Sequence, residues 1–242
     1  MALVEFRDVW YEIAGRTILA SLNLRVEAGE TVVFLGRSGS GKTTALKMIN
    51  AMVFPTRGEV LVDGRRTTEW DPIRLRRRIG YVMQEVGLFP HFTVRDNVGL
   101  VPKLEGWNEP DIDQRVNLLL ETIGMPPAEF RSRYPRQLSG GQRQRVGVAR
   151  ALAADPPVLL FDEPFGALDP VTRLELQRQF LELRRDFQKT SIFVTHDVRE
   201  ALLLGTRIAL LAGGRLELVA APGEFRYAPG EEARGFLACL EN

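Results

Sequence analysis

An apolar run, Thr31-Val32-Val33-Phe34-Leu35, passes directly into Gly36-Arg37-Ser38-Gly39-Ser40-Gly41-Lys42-Thr43, and Thr43 to Ala51 then reads as a helix. The eight loop residues match G-x-x-x-x-G-K-[ST] without departure, in the strand-to-helix setting that the pattern requires. Few features restrict a fold as much. The strand must be buried, and the helix must begin at its carboxyl end. That start carries free N–H groups and the positive end of the helix dipole. Glycine lets the backbone approach a phosphate closely. The segment Gly36, Arg37, Ser38, Gly39, Ser40, Gly41, Lys42, Thr43 and Thr44 is therefore expected to wrap nucleotide phosphates. Lys42 reaches the β and γ oxygens, and the Thr43 hydroxyl ligates Mg²⁺.

A second stretch of the same chemistry lies far downstream. Leu138-Ser139-Gly140-Gly141-Gln142 again sets glycines and a hydroxyl where a helical pattern begins. One nucleotide needs one cradle. A second cradle suggests that Ser139, Gly140, Gly141 and Gln142 serve a nucleotide held by another copy of the chain.

Three further apolar runs end in residues suited to phosphate chemistry. Ile79-Gly80-Tyr81-Val82-Met83 meets Gln84, Val158-Leu159-Leu160-Phe161 meets Asp162-Glu163, and Ser191-Ile192-Phe193-Val194-Thr195 meets His196. Continuous apolar runs fit strands buried on both faces of a parallel sheet, and such sheets bind ligands beyond their carboxyl ends. Convergence on one crevice is the expectation. A carboxylate after four apolar residues is costly without a partner, and a magnesium ion would be one for Asp162. Glu163 is the candidate general base. Gln84 is read as a metal- and water-contacting glutamine, with a plain surface role as the bland reading. His196 is read as a contact to the γ-phosphate.

The rest of the chain fits an α/β domain. Val4–Trp10 and Ile18–Val26 read as short strands around a turn near Gly15, and Glu59–Val62 as another before Asp63-Gly64. Asp111–Ile123 and Gln142–Ala154 have apolar residues at helical spacing, the second stopped by Asp155-Pro156-Pro157. The expected layout is a single domain over 1–242. A nucleotide-binding core takes 1–86 and 158–242, and 87–157 is a helical subdomain carrying the second cradle.

Composition narrows the function. The 242 residues hold 32 Lys and Arg against 31 Asp and Glu, a net charge of +1. That balance argues against a strongly charged nucleic-acid surface, so no nucleic-acid partner is expected. The run Arg74-Leu75-Arg76-Arg77-Arg78 reads as a solvated helix face. The single cysteine, Cys239, excludes an internal disulfide framework and reads as a small apolar filler in a terminal helix. No signal-peptide pattern opens the chain, and its most apolar stretch, near Ala201–Ala212, is interrupted by Gly205, Thr206 and Arg207. A cytoplasmic protein is expected, reaching a membrane only through a partner.

The order and separation of these motifs resemble those of the ABC-type ATPases over essentially the whole chain. The resemblance implies a P-loop NTPase fold with a small antiparallel β part and an inserted helical subdomain. It makes 36–43 the Walker A loop, 138–142 the signature, Asp162 the end of the Walker B strand and His196 the switch histidine. The Gly166-Ala167-Leu168-Asp169 stretch becomes a loop crossing a dimer interface, beside the plain reading of a turn with Asp169 as a helix cap. Two copies would pair head to tail around two ATP molecules. The family's adenine-stacking aromatic falls by spacing at Ile13, with Tyr11 or Trp10 as substitutes or an aliphatic side chain packing on adenine instead, and Tyr11 is carried forward. A narrower resemblance, over Ile79–Val94, Asn97–Pro102 and Glu105-Gly106-Trp107, is to importers of quaternary ammonium osmoprotectants such as glycine betaine. It implies an ATP-hydrolysing motor on the inner face of the cell membrane, bound to permease subunits and served indirectly by a substrate-binding protein. An importer for another small solute, such as an amino acid, is the alternative, and a soluble non-transport ABC ATPase a more distant one. Many of those importer ATPases carry a C-terminal pair of regulatory CBS domains, for which this chain stops too soon. Val86, Leu88, Phe89, Phe92 and Val94 read either as packing for the helical insertion or as a groove for a permease helix.

Overall fold

In the computed structural model, which describes residues 2–166 and 168–240, the chain opens with β1 (Ala2–Ile13) and β2 (Arg16–Glu27). Ala14 and Gly15 between them both have positive φ, 49° and 73°. Such a pair makes the two-residue turn that matches strand twist, and Ile13 pairs with Arg16 across it. Then come β3 (Thr31–Leu35), α1 (Lys42–Ile49), β4 (Arg57–Val62), β5 (Arg65–Arg66), α2 (Pro72–Arg77) and β6 (Ile79–Val82). Helices α3 (Val94–Leu104), α4 (Glu109–Thr122), α5 (Pro127–Phe130) and α6 (Gly140–Leu152) follow, with a 3-10 turn at Pro135–Gln137 before the last. The chain continues through β7 (Val158–Asp162), α7 (Pro170–Phe187), β8 (Thr190–Thr195), α8 (Val198–Leu204), β9 (Arg207–Ala212), β10 (Arg215–Ala220), α9 (Pro222–Phe225) and α10 (Glu231–Ala238). Ala167, in the expected dimer-crossing loop, lies outside the described residues.

The chain divides into two compact units, 1–76 with 189–242, and 77–188. In the first, β2, β1, β4 and β5 form an antiparallel sheet. β3 runs parallel to β8 on one side and to β9 on the other, and β10 closes onto β9 antiparallel. This central place explains why every residue from Thr31 to Leu35 is buried and why the sequence shows no alternation there. Phe6 of β1 meets Phe34 of β3 edge to face, 6.2 Å between centroids. The arginine run departs from a purely solvated face. Leu75 is buried, and Arg76 donates to Asn50 O and Ala51 O (3.2 and 2.9 Å), the open carbonyls after α1.

In the second unit β6 pairs parallel to β7, Val82 opposite Phe161. Helices α3, α4 and α6 share an apolar interior of Val94, Val98, Ile112, Val116, Leu119 and Val146. α4 starts two residues earlier than its apolar spacing alone indicates, because Asn108 accepts a hydrogen bond from Asp111 N (2.9 Å) and Pro110 suits the first turn. Phe161 packs edge to face on Phe180 of α7 at 5.2 Å. One expectation is overturned. Cys239 is exposed rather than a buried filler, since α10 fully buries only Ala233 and the cysteine falls just past its end.

Candidate functional site

The start of α1 lacks the side-chain cap that α3, α4, α7 and α8 carry. Thr93, Asn108, Asp169 and Asp197 cap α3, α4, α7 and α8 with side-chain oxygens. At α1 the capping residue is Gly41, without a side-chain hydrogen bond and with no acidic residue in the first turn. Gly41 has φ 96°, and a Cβ there would lie 2.6 Å from Leu19 Cδ2 and 2.9 Å from Ile18 O, so only glycine fits. The Ser40 hydroxyl is buried with no hydrogen-bond partner. Lys42 is buried too, and its ammonium donates to Gly36 O (2.7 Å) and Arg37 O (2.8 Å), across the loop. One unpartnered hydroxyl, a fixed cation and a helix N-terminus together suit an anion. Ser38 and Gly39 are exposed, Thr43 and Thr44 half-buried. The Arg37 side chain turns instead to Glu232 on α10, 2.8 Å away.

Neighbouring strands bring the phosphate loop and His196 to the same sheet end, for Leu35 of β3 lies opposite Thr195 of β8. His196 is exposed. Its turn is held from below: Thr195 Oγ1 donates to Glu200 Oε2 (2.6 Å) and accepts from Asp197 N (3.0 Å). Both Thr195 and Glu200 are buried.

The second unit holds a pair of parallel strands of its own. β6 and β7 end side by side, which sets Gln84 beyond one and Asp162 and Glu163 at the other. Asp162 is buried, and the Tyr81 hydroxyl donates to its Oδ2 at 3.3 Å. Burial first, and then the charge of Asp162, push the Tyr81 phenol above its ordinary range, so it stays a neutral donor. Glu163 takes φ 47°, a left-handed conformation uncommon outside glycine, and its carbonyl accepts from Gly166 N at 3.2 Å. Asp169 caps α7 through Val171 N and Thr172 N (3.2 and 3.1 Å), and Thr172 holds its carboxyl below the usual carboxylate range.

The second cradle is a capping box. Ser139 Oγ accepts from Gln142 N (3.2 Å), and Gln142 Oε1 accepts from Ser139 N (2.9 Å). This uses a lone pair of the hydroxyl and leaves its O–H free to donate. The two glycines differ in purpose. A Cβ on Gly140 would have only Arg143 Nη2 nearby, at 3.9 Å, whereas one on Gly141 would strike Thr172 Cγ2 at 2.5 Å.

Sequence reasoning missed Tyr81, Thr195 and Glu200, which hold the site residues in place. Among the adenine candidates, Trp10 is occupied: Arg57 lies 4.3 Å over its ring, and its indole N–H donates to Asp8. Ile13 is exposed and Tyr11 half-buried.

The sequence profile of the ABC transporter family matches residues 19–166, and the chain belongs to that family. It is 49% identical over 218 residues to the glycine betaine/carnitine/choline transport ATP-binding protein OpuCA of Bacillus subtilis, covering 90% of this chain and 57% of that one. To the osmoprotectant import ATP-binding protein OsmV of Salmonella typhimurium it is 48% identical, covering 89% and 56%. The chain thus spans little more than half the length of these curated relatives. Among solved structures it is similar to CbiO1 of Clostridium perfringens, part of the ABC transporter complex CbiONQ, with TM-score 0.84, 28% identity and 92% and 90% of the two chains covered. It is also similar to the ATP-binding cassette MJ0796 in a dimeric post-hydrolysis state bound to ADP and Pi, with TM-score 0.79, 34% identity and 90% and 98% covered. The fold is an α/β P-loop ATPase cassette.

Proposed function

We propose that this chain is the ATP-hydrolysing motor of an importer for quaternary ammonium osmoprotectants such as glycine betaine. The observation that carries the ATPase reading is the uncapped α1 start, with the buried, unpartnered Ser40 hydroxyl and the Lys42 ammonium beside it. Amides from Gly36 to Thr44, with Lys42, bind the β- and γ-phosphates, and Tyr11 packs on adenine. Glu163 accepts the proton of the attacking water as its oxygen bonds to the γ-phosphorus and the bond to the β-phosphate oxygen breaks, releasing ADP and phosphate. Gln84 and His196 orient the water and the γ-phosphate.

The oxygen donors of Thr43, Gln84 and Asp162 suit Mg²⁺, which commonly takes one carboxylate and fills its other places with phosphate and water. When bound, the ion neutralises phosphate charge. Tyr81 keeps the Asp162 carboxylate aimed. Ser139, Gly140, Gly141 and Gln142 meet the nucleotide of a second copy, to which the Ser139 O–H donates. No described helix is long and apolar enough to cross a membrane. The chain works at the inner face of the cell membrane through permease subunits, with a substrate-binding protein delivering solute to them. Nucleic acid is not a partner.

The test has two stages. The purified protein should hydrolyse ATP in the presence of magnesium, and absence of turnover would overturn the ATPase reading. Co-purified with its permease subunits in liposomes, it should drive uptake of glycine betaine in preference to an amino acid. The reverse preference would move the substrate class and leave the motor intact.

A further inference from the structure

Within the second unit, the Gln84 loop touches α6 far from Ser139. Arg150, in the last turn of α6, donates from Nη2 to Val86 O (2.7 Å) and from Nη1 to Gly87 O (2.8 Å). Among the described residues it has no carboxylate partner, and burial alone pulls its ionisation below that of an ordinary guanidinium. Withdrawing a cation from water is costly, and here two main-chain carbonyls supply the compensation. One turn earlier, a Cβ on Gly147 would lie 2.5 Å from Val86 Cγ1. The glycine leaves a notch that Val86 fills. Val86 and Gly87 follow Gln84 by two and three residues. Ser139 caps the other end of α6, whose 13 residues span about 20 Å.

We propose that Arg150 and the Val86–Gly147 contact are positioning elements that lock the Gln84 loop to the signature helix, so that displacement of either is carried to the other. The inference rests on the ATPase reading and adds a mechanical link to it. A response of Gln84 to nucleotide shifts Val86 and Gly87, which hold α6 at two points on its last two turns. The helix is rigid over this length and delivers the shift to Ser139. Direct contact, not proximity alone, joins the two elements.

The test exploits the notch. Gly147→Ala forces Val86 to retreat by about 1 Å to ordinary carbon–carbon separation. A misplacement of that size costs up to about 100-fold in rate, so kcat should fall about tenfold or more. Equilibrium ATP binding to the single chain should stay unchanged, because the phosphate loop is untouched. Adding Val86→Ala removes both γ-methyls, the clashing one included, for a net loss of one carbon at the contact, and should restore kcat to within about threefold. Arg150→Lys keeps the charge but loses the fork. It should lower kcat in the otherwise wild-type chain and the ATP-trapped dimer in the Glu163→Gln background, while ATP binding to the single chain stays unchanged.

Wild-type kcat in Gly147→Ala, or a deficit that Val86→Ala fails to repair in proteins that melt like the wild type, would overturn the lock. If Gly147→Ala does not fold, Arg150→Lys decides: wild-type turnover and dimerisation there would equally overturn it. Wild-type protein that hydrolyses ATP beside such results leaves the ATPase reading standing. Wild-type protein that hydrolyses none removes that reading, and the lock falls with it.

Discussion

Glu163 combines a strained backbone with the chemistry proposed for it. Its φ of 47° costs a residue with a Cβ about 1–2 kcal/mol. Glu163→Gln keeps that backbone and the side-chain shape but cannot take the water's proton. Turnover should fall by about 100-fold or more, while ATP stays bound and traps a dimer visible by gel filtration. A wild-type rate would remove Glu163 from the base role. Glu163→Gly should lose turnover as well, yet relief of strain outweighs the extra chain entropy of glycine, about 0.5–1 kcal/mol. Its melting temperature should therefore not fall, and a clear drop would mean that side-chain contacts at 163 outweigh the strain. The two cradles separate by the same kind of measurement. Lys42→Ala should lose ATP affinity in the single chain. Ser139→Arg should keep it and lose ATP-driven dimerisation, and normal dimerisation would sink the second-copy role of Ser139.

At the scale of elements, a charge cluster ties α3 to α4. Arg95, in the first turn of α3, donates to Glu109 and to Asp113 (2.8 Å) of α4, and to Asp96 (3.3 Å). Arg131 also reaches Asp113, at 3.1 Å. Arg95 holds the carboxyls of both Glu109 and Asp113 below the usual carboxylate range. Groups whose folded pKa is depressed contribute stability above their unfolded values, near 4, and lose it as pH falls through the folded ones. Arg95→Ala should lower the melting temperature at pH 7, and the gap from wild type should close as the pH drops below about 4. A gap that persists at pH 3 would assign the loss to packing of the arginine stem.

At the scale of the whole molecule, Phe89 and Phe92 stand 47% and 37% exposed, with ring centroids 5.3 Å apart. Asn97, fully buried, holds their loop by bonds to Phe89 N and O, Phe92 O and Thr93 O. This exposure favours the docking reading over core packing. Replacing both rings by Ser should lower transport far more than the ATPase rate of the isolated chain. The melting point should move much less than the loss of about 3–5 kcal/mol per fully buried ring would require. Normal transport with an unchanged melt would exclude a docking role. Much of this fold was legible in its sequence because its motif residues stand at fixed places relative to strands and helices. The loop at 36–43 needs the strand before it and the helix after it, and apolar runs ending in Gln84, Asp162 and His196 announce strands buried on both faces. The Ser139–Gln142 capping box is likewise a local spacing. Contacts between residues distant in the chain left no such trace. Tyr81 on Asp162, Arg76 on the end of α1 and Arg150 on the Gln84 loop arise only once the strands and helices have packed. The exposure of Cys239 was settled in the same way, by where a short helix happened to find a neighbour. Local spacing determined which elements form and which residue types stand at their ends. Packing alone decided which side chains hold those residues in place, because a buried polar group takes whichever partner the fold brings within reach.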